Sequence, residues 1–339
     1  MTLELIWYLV ICVSVVFYVI LDGFDLGVGC LHLFVKSDHE RRLFLNAIGP
    51  VWDGNEVWIV IIFGGLLAGF PPVYATLCSS FYTLIMILIA GLMFRAASIE
   101  FRSKQPSRRW RNLWDTSFCI ASYVIAFCIS IMLANLIEGI AIDQTGHFTG
   151  SFRDFFTPYT VLIGFTGIFL FMTHGTVYLL MKLEGKIQLR LRKWLIGMLT
   201  LFLILYTLVT TLTLLHRPHM TAFMRNVPIL FSLGFLALYA MINIPFWAYR
   251  YCYGRAFLSS CCAIALLFTL FGLGTFPYMI RSTLDPDRFS LTFFNAASSL
   301  ATLKIILIIA AIGVPLVIGY GFWIYKIFSG KVTLDETSY

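Results

Sequence analysis

Leu21-Asp22-Gly23-Phe24-Asp25-Leu26-Gly27 and Gly49-Pro50-Val51-Trp52-Asp53-Gly54-Asn55-Glu56-Val57-Trp58 set four carboxylates into sequence that otherwise reads as membrane-buried. Apolar runs on both sides of each acidic pair are long enough for helices that cross a bilayer. An ionisable group in such a helix costs at least ~2.5–3.5 kcal/mol on insertion scales, so it is retained for a purpose and must face protein or water. These two stretches therefore predict a helical hairpin with a polar interior.

Composition extends that reading to the whole chain. Of 339 residues 60% are hydrophobic and 12% are charged, with a mean hydropathy of +0.87. A soluble domain carries about twice that charge, so the chain is predicted to be an all-α polytopic membrane protein in one integral membrane domain, residues 1–339. Apolar runs of ~20 residues place nine transmembrane helices near 5–34, 47–70, 73–94, 114–137, 157–181, 194–215, 227–249, 256–280 and 303–325. The opening Met1-Thr2-Leu3-Glu4-Leu5 has an acid, no basic n-region and no cleavage pattern after it, so the first run is expected to stay as a span.

The net charge of +7 orients the protein and does not point to nucleic acid. With nine spans, eighteen of the 24 lysines and arginines fall in alternate loops on one side. The positive-inside rule then puts the N-terminus on the periplasmic side and the C-terminus in the cytoplasm. The eight cysteines lie in or beside spans with no C-x-x-C pair, which reads as apolar packing and not as zinc or disulfide chemistry.

At about 100° per residue, Ser14, Tyr18, Asp22, Asp25, Gly29 and His32 share one arc of the first span. Gly23 and Gly27 form a G-x-x-x-G on another face, where a neighbouring helix can approach closely. On the second span Asn46, Gly49, Asp53 and Glu56 share a face, and Pro50 suits a first helical turn. With a turn near residue 40 and a rise of about 1.5 Å per residue, Asp25 and Asp53 are expected at similar depth in the cytoplasmic half. Four converging acids open to one face are what a proton pathway or a cation site requires.

Later spans carry fewer signals. Glu100 stands among bases after the third span and reads equally as a surface ion pair or a proton-collecting group. Asp115 is accounted for by the dipole at a helix N-terminus. His174 is the one histidine inside a later span and reads as a hydrogen-bonding group of the bundle; with His32 it makes a poor inventory for a bis-histidine haem. No phosphate loop, linker or soluble domain is visible, and the tail from Gly330 is short and polar.

The two acidic stretches, Phe101-Arg102-Ser103-Lys104, Trp110-Arg111-Asn112-Leu113-Trp114-Asp115, Phe276-Pro277-Tyr278 and Ser290 through Ser299 together resemble subunit II of cytochrome bd-type, or cyanide-insensitive, quinol oxidases. The resemblance spans the chain; Asn295 stands where relatives often have Asp, and Glu100 where some have Asp. It implies two four-helix bundles plus a peripheral helix, in a multi-pass protein of the bacterial inner membrane. The implied partner is a similarly folded subunit I, with a small single-span accessory subunit in some members, alongside quinol and membrane lipid.

By the same resemblance, three haems, two of b type and one of d type or a variant, are expected in the partner, none is ligated here, and some relatives hold a structural quinone. The implied activity is quinol oxidation coupled to reduction of dioxygen to water. Asp22, Asp25, Asp53 and Glu100 match positions associated with a proton route, to which the helical phase adds Glu56, Ser14, Tyr18 and His32. Trp58 is a candidate lining of a dioxygen path, weighed against simple packing. The rival reading is a proton- or cation-coupled transporter, which predicts broken helices in repeated halves; no second acidic pair supports it. A purely structural scaffold leaves the four acids unexplained.

Overall fold

A computed structural model describes residues 2–334; the last residues of the polar tail lie outside them. The described chain is helical almost throughout. Its helices are α1 (Leu3–Leu31), α2 (Asp38–Ile48), α3 (Trp52–Gly69), α4 (Pro71–Ser80), α5 (Tyr82–Phe101), α6 (Arg108–Glu138) and α7 (Pro158–Lys182). They continue with α8 (Lys186–His216), α9 (Ala222–Asn226), α10 (Ser232–Tyr249), α11 (Tyr253–Thr275), α12 (Pro286–Phe289) and α13 (Leu300–Ile327). Among the described residues eight helices are long and apolar enough to cross a membrane, or nine if α2 and α3 count as one bent span.

Local sequence sets the helix starts. Side chains of Thr2, Ser37, Thr157 and Ser299 each accept a hydrogen bond from a first-turn backbone N–H, satisfying donors that a helix cannot pair internally. The expected second span differs in a way that matters for the site. The turn lies at residues 35–37, and α2 meets α3 at an angle of 49° across residues 49–51. Pro50 sits in that break and does not open the helix, because it offers no N–H and crowds the preceding turn. The third span is also displaced: α4 and α5 meet at Phe81, and α5 runs to Phe101, beyond the expected end at residue 94. At the other end of the chain α11 stops at Thr275, short of 280, and the strands β1 (Tyr278–Ile280) and β2 (Leu291–Thr292) pair antiparallel.

Helix α1 is the axis of the molecule, packing against α3, α6, α7, α11 and α13. Every residue from Asp22 to Leu31 is buried. Such all-round burial needs glycine, and the predicted close approach is met by α7. A Cβ on Gly27 would lie 1.9 Å from the Phe171 carbonyl oxygen, and Gly175 opposes it, so the two backbones touch. The lipid-like faces lie outside: on α13 Ile305, Ile308, Ile309, Ile312 and Leu316 are exposed, as apolar side chains in a hydrocarbon solvent can be. Away from the spans, Asp143 accepts from the Thr145 hydroxyl and the Thr145 and His147 amides, which hold its carboxyl below the usual range.

Candidate functional site

Three of the four predicted acids come together. Asp22 and Asp25, one turn apart on α1, are fully buried. Arg95 of α5, also fully buried, donates from Nη2 to Asp22 Oδ1 at 2.6 Å and to Glu56 of α3. Asp25 Oδ2 accepts from the amide of Asn55 at 2.7 Å, and the Asn55 carbonyl accepts from the Tyr325 hydroxyl at 2.7 Å. Tyr18 stands buried on the same face, one turn before Asp22.

One guanidinium thus faces three carboxylates, so the cluster carries more negative than positive groups. Its hydrogen bonding is also incomplete. Among the described residues Tyr18 Oη, Asp22 Oδ2, Asp25 Oδ1, and Arg95 Nε and Nη1 are buried without a hydrogen-bond partner. Each such atom costs about 1–3 kcal/mol if left dry, and unsatisfied polar atoms concentrated in one place call for a functional explanation. The arrangement has acids and hydroxyls that can exchange protons, held at fixed distance by one permanent cation.

The remaining predicted residues go elsewhere. Asp53 is exposed, because α3 restarts at Trp52 and puts Asp53 in its first turn, where the helix dipole favours a carboxylate. The bend also separates Asn46, whose side chain caps back onto the Arg42 carbonyl at 2.7 Å. Ser14 is buried but returns its hydroxyl to Val10 of its own helix. Glu100 is exposed at the end of α5. Trp58 is buried and stacks on Phe17, with ring centroids 4.4 Å apart, which is packing geometry.

His32 belongs to a second cluster that sequence reading missed. Its Nε2 lies 2.6 Å from Asp115 Oδ1, Arg102 Nε donates to the same oxygen at 2.6 Å, and Arg41 donates to Oδ2 at 2.9 Å. Asp38 bridges Arg102 and Arg111. The dipole explanation for Asp115 is therefore overturned: it is buried and tied to three basic side chains. A signal for both missed basic residues exists. Leu88, Gly91, Arg95 and Ser98 on α5, and Arg102 just past its end, recur at three- and four-residue intervals and are all buried, a stripe that phases Arg95 and Arg102 with the core.

His174 has both ring nitrogens engaged, with Ser260 Oγ at 2.8 Å and the Ile20 carbonyl at 2.9 Å. The eight cysteines are free thiols. Among the described residues no group of three or more His, Cys, Asp or Glu is arranged to hold a metal ion. The two histidines within spans, His32 and His174, are both taken up by hydrogen bonds to protein groups.

These features define a multi-pass, all-helical membrane protein with a charged site in its core. The sequence profile described as cytochrome bd terminal oxidase subunit II matches residues 3–328, and the chain belongs to that family. It is 30% identical to cytochrome bd-I ubiquinol oxidase subunit 2 of Escherichia coli K12, over 98% of this chain and 96% of the relative. It is 29% identical to cytochrome bd ubiquinol oxidase subunit 2 of Bacillus subtilis 168, over 98% and 97%. The bd oxidase structure from Geobacillus thermodenitrificans shares the fold at a TM-score of 0.77 and 18% identity, covering 97% of this chain and 99% of that one. The protein is accordingly a subunit of a bd-type terminal oxidase, a quinol-oxidising complex of the bacterial inner membrane, and has a subunit I as its partner. Haem in this family belongs to that partner. The transporter alternative is set aside by the same match.

Proposed function

We propose that this chain is the haem-free half of the oxidase and conducts protons from the cytoplasm toward the partner subunit, where dioxygen is reduced to water. The observation that carries the reading is the cluster of the buried Asp22 and Asp25 and the half-buried Glu56 around the single cation Arg95. Dioxygen reduction consumes one proton for each electron, and a proton crossing the apolar core needs exchangeable groups within hydrogen-bond reach. Tyr18 extends the cluster along α1, while Asp53 and Glu100, both exposed, are the route's contacts with solvent or with the neighbouring subunit.

The distribution of basic side chains supports an N-out, C-in orientation, with quinol oxidised near the outer face. The helix order supports two four-helix bundles, with α13 as the peripheral helix: of its 28 residues only Leu303 is fully buried. The partner's haems are of b and d type in this reading, which also includes a structural quinone and a single-span accessory subunit.

The test is Asp25→Asn in the purified two-subunit oxidase. The side chain stays nearly isosteric but loses its exchangeable carboxyl. Oxygen consumption is expected to fall about tenfold or more, short of the roughly 10²–10⁴-fold of a full general acid–base step because the neighbouring acids remain, at unchanged haem content. Unchanged turnover would sink the proton-route reading, and loss of haem would reassign Asp25 to assembly.

A further inference from the structure

We propose that Tyr325, on the peripheral helix α13, is a positioning residue that fixes which oxygen of Asp25 exchanges protons. The proposal rests on the proton-route reading above and goes beyond it, because it assigns a role to a helix that otherwise sits on the rim. Tyr325 lies near the end of α13, is half-buried, and reaches the site by one hydrogen bond, 2.7 Å from its hydroxyl to the carbonyl oxygen of Asn55. Asn55 is 2% exposed, and its amide nitrogen donates to Asp25 Oδ2 at 2.7 Å and to the Leu21 carbonyl at 3.3 Å.

A carboxamide has one accepting end and one donating end. With its carbonyl held by a phenol O–H, the NH2 must face the two acceptors, Asp25 and Leu21. The chain Tyr325–Asn55–Asp25 cannot itself carry a proton, since an amide passes one only by tautomerising. Its effect is geometric. Oδ2 is occupied, while Oδ1 has no partner among the described residues and is the oxygen left for exchange. Removing the phenol O–H leaves the Asn55 carbonyl unpaired and releases the amide to turn away from Asp25.

The other titratable and charged groups facing Asp25 are Asp22 on its own helix, Glu56 of α3, Arg95 of α5 and Tyr178 of α7, with Cys261 of α11 beyond Tyr325. Tyr178 is committed to the Ala47 carbonyl at 2.8 Å. Tyr325→Phe alters none of these and keeps the ring, so a changed pH profile would report the orientation of Asp25.

The experiment compares Tyr325→Phe, Asn55→Leu, Asp25→Asn and the double variant Y325F/D25N in the purified two-subunit oxidase. Turnover per haem is read against pH, together with haem content. Y325F is expected to lower turnover about three- to tenfold, the range one hydrogen bond supplies, with a displaced pH profile and full haem content. N55L should reproduce this, which keeps the test usable if one variant assembles poorly. The double variant should be no slower than D25N. Tyr320→Phe, whose ring packs near Gly54 of α3, should behave as wild type. Wild-type turnover and pH profile in Y325F and N55L, or a multiplicative loss in the double variant, overturns the proposal. If D25N itself is unimpaired, the proton-route reading falls as well, a different result from a slow D25N beside a normal Y325F.

Discussion

Two charged clusters lie at successive levels of the same bundle, and they are built on opposite principles. Around Asp115 both oxygens are engaged, by His32, Arg41 and Arg102, and Asp38 adds a second acid for Arg102 and Arg111. Around Arg95 one cation serves Asp22 and Glu56 while Asp25 relies on an amide, and five polar atoms have no protein partner. A buried ion pair is stabilising only when its lone pairs and N–H groups are met. The first cluster satisfies both oxygens of Asp115, leaving only His32 Nδ1, Arg102 Nη1 and Arg111 Nε without a partner among the described residues, and ties α1, α2, α5 and α6 together near their adjoining ends. The second leaves acids under-compensated in the core, an arrangement poor for stability and the basis of the proton route proposed above.

This contrast breaks most visibly at Asp115. Asp115→Ala would strand Arg102 and Arg41 beside His32, a loss of about 3–5 kcal/mol for a broken buried pair. The yield and melting temperature of the complex should collapse; a stable complex with slow turnover would instead move Asp115 into the working site. Asp25→Asn should do the reverse, with melting temperature near wild type and turnover down about tenfold. Asp53→Asn, at an exposed position, is expected to slow oxygen consumption by about twofold to fivefold while leaving haem in place, as for an end of the route whose protonation solvent can assist. The smallest effect is expected from Trp58→Phe. Loss of part of the stack on Phe17 is worth about 0.5–1.5 kcal/mol, visible in melting temperature alone; a raised KM for dioxygen would restore Trp58 to a dioxygen path.

Much of the site was legible because helical phase is a local property. Asp22, Asp25 and Tyr18 follow from one unbroken helix, and Glu56 from the phase of α3. The close contact at Gly27 followed from residue size alone. What escaped depended on pairing across sequence. His32 and Asp115 are 83 residues apart, and Tyr325 and Asn55 are 270 apart. Arg95 was hidden by a span placed to end at residue 94, although its own stripe on α5 points inward. Asp53 shares α3 with Glu56 but stands in its exposed first turn, beside the 49° bend at Pro50, so the phase that carries Glu56 to the cluster does not bury it.

The contact of Gly27 with α7 has a further meaning for Asp25, two residues earlier. Where main chain rests on main chain, with the would-be Cβ 1.9 Å from a carbonyl oxygen, no side chain can relax to absorb an error. The carboxylate is thus surveyed from a fixed benchmark: its height and azimuth relative to α7 are set by a joint with no slack. A single added methyl there would act as a shim, prising α1 and α7 apart and misaligning the acid without touching it.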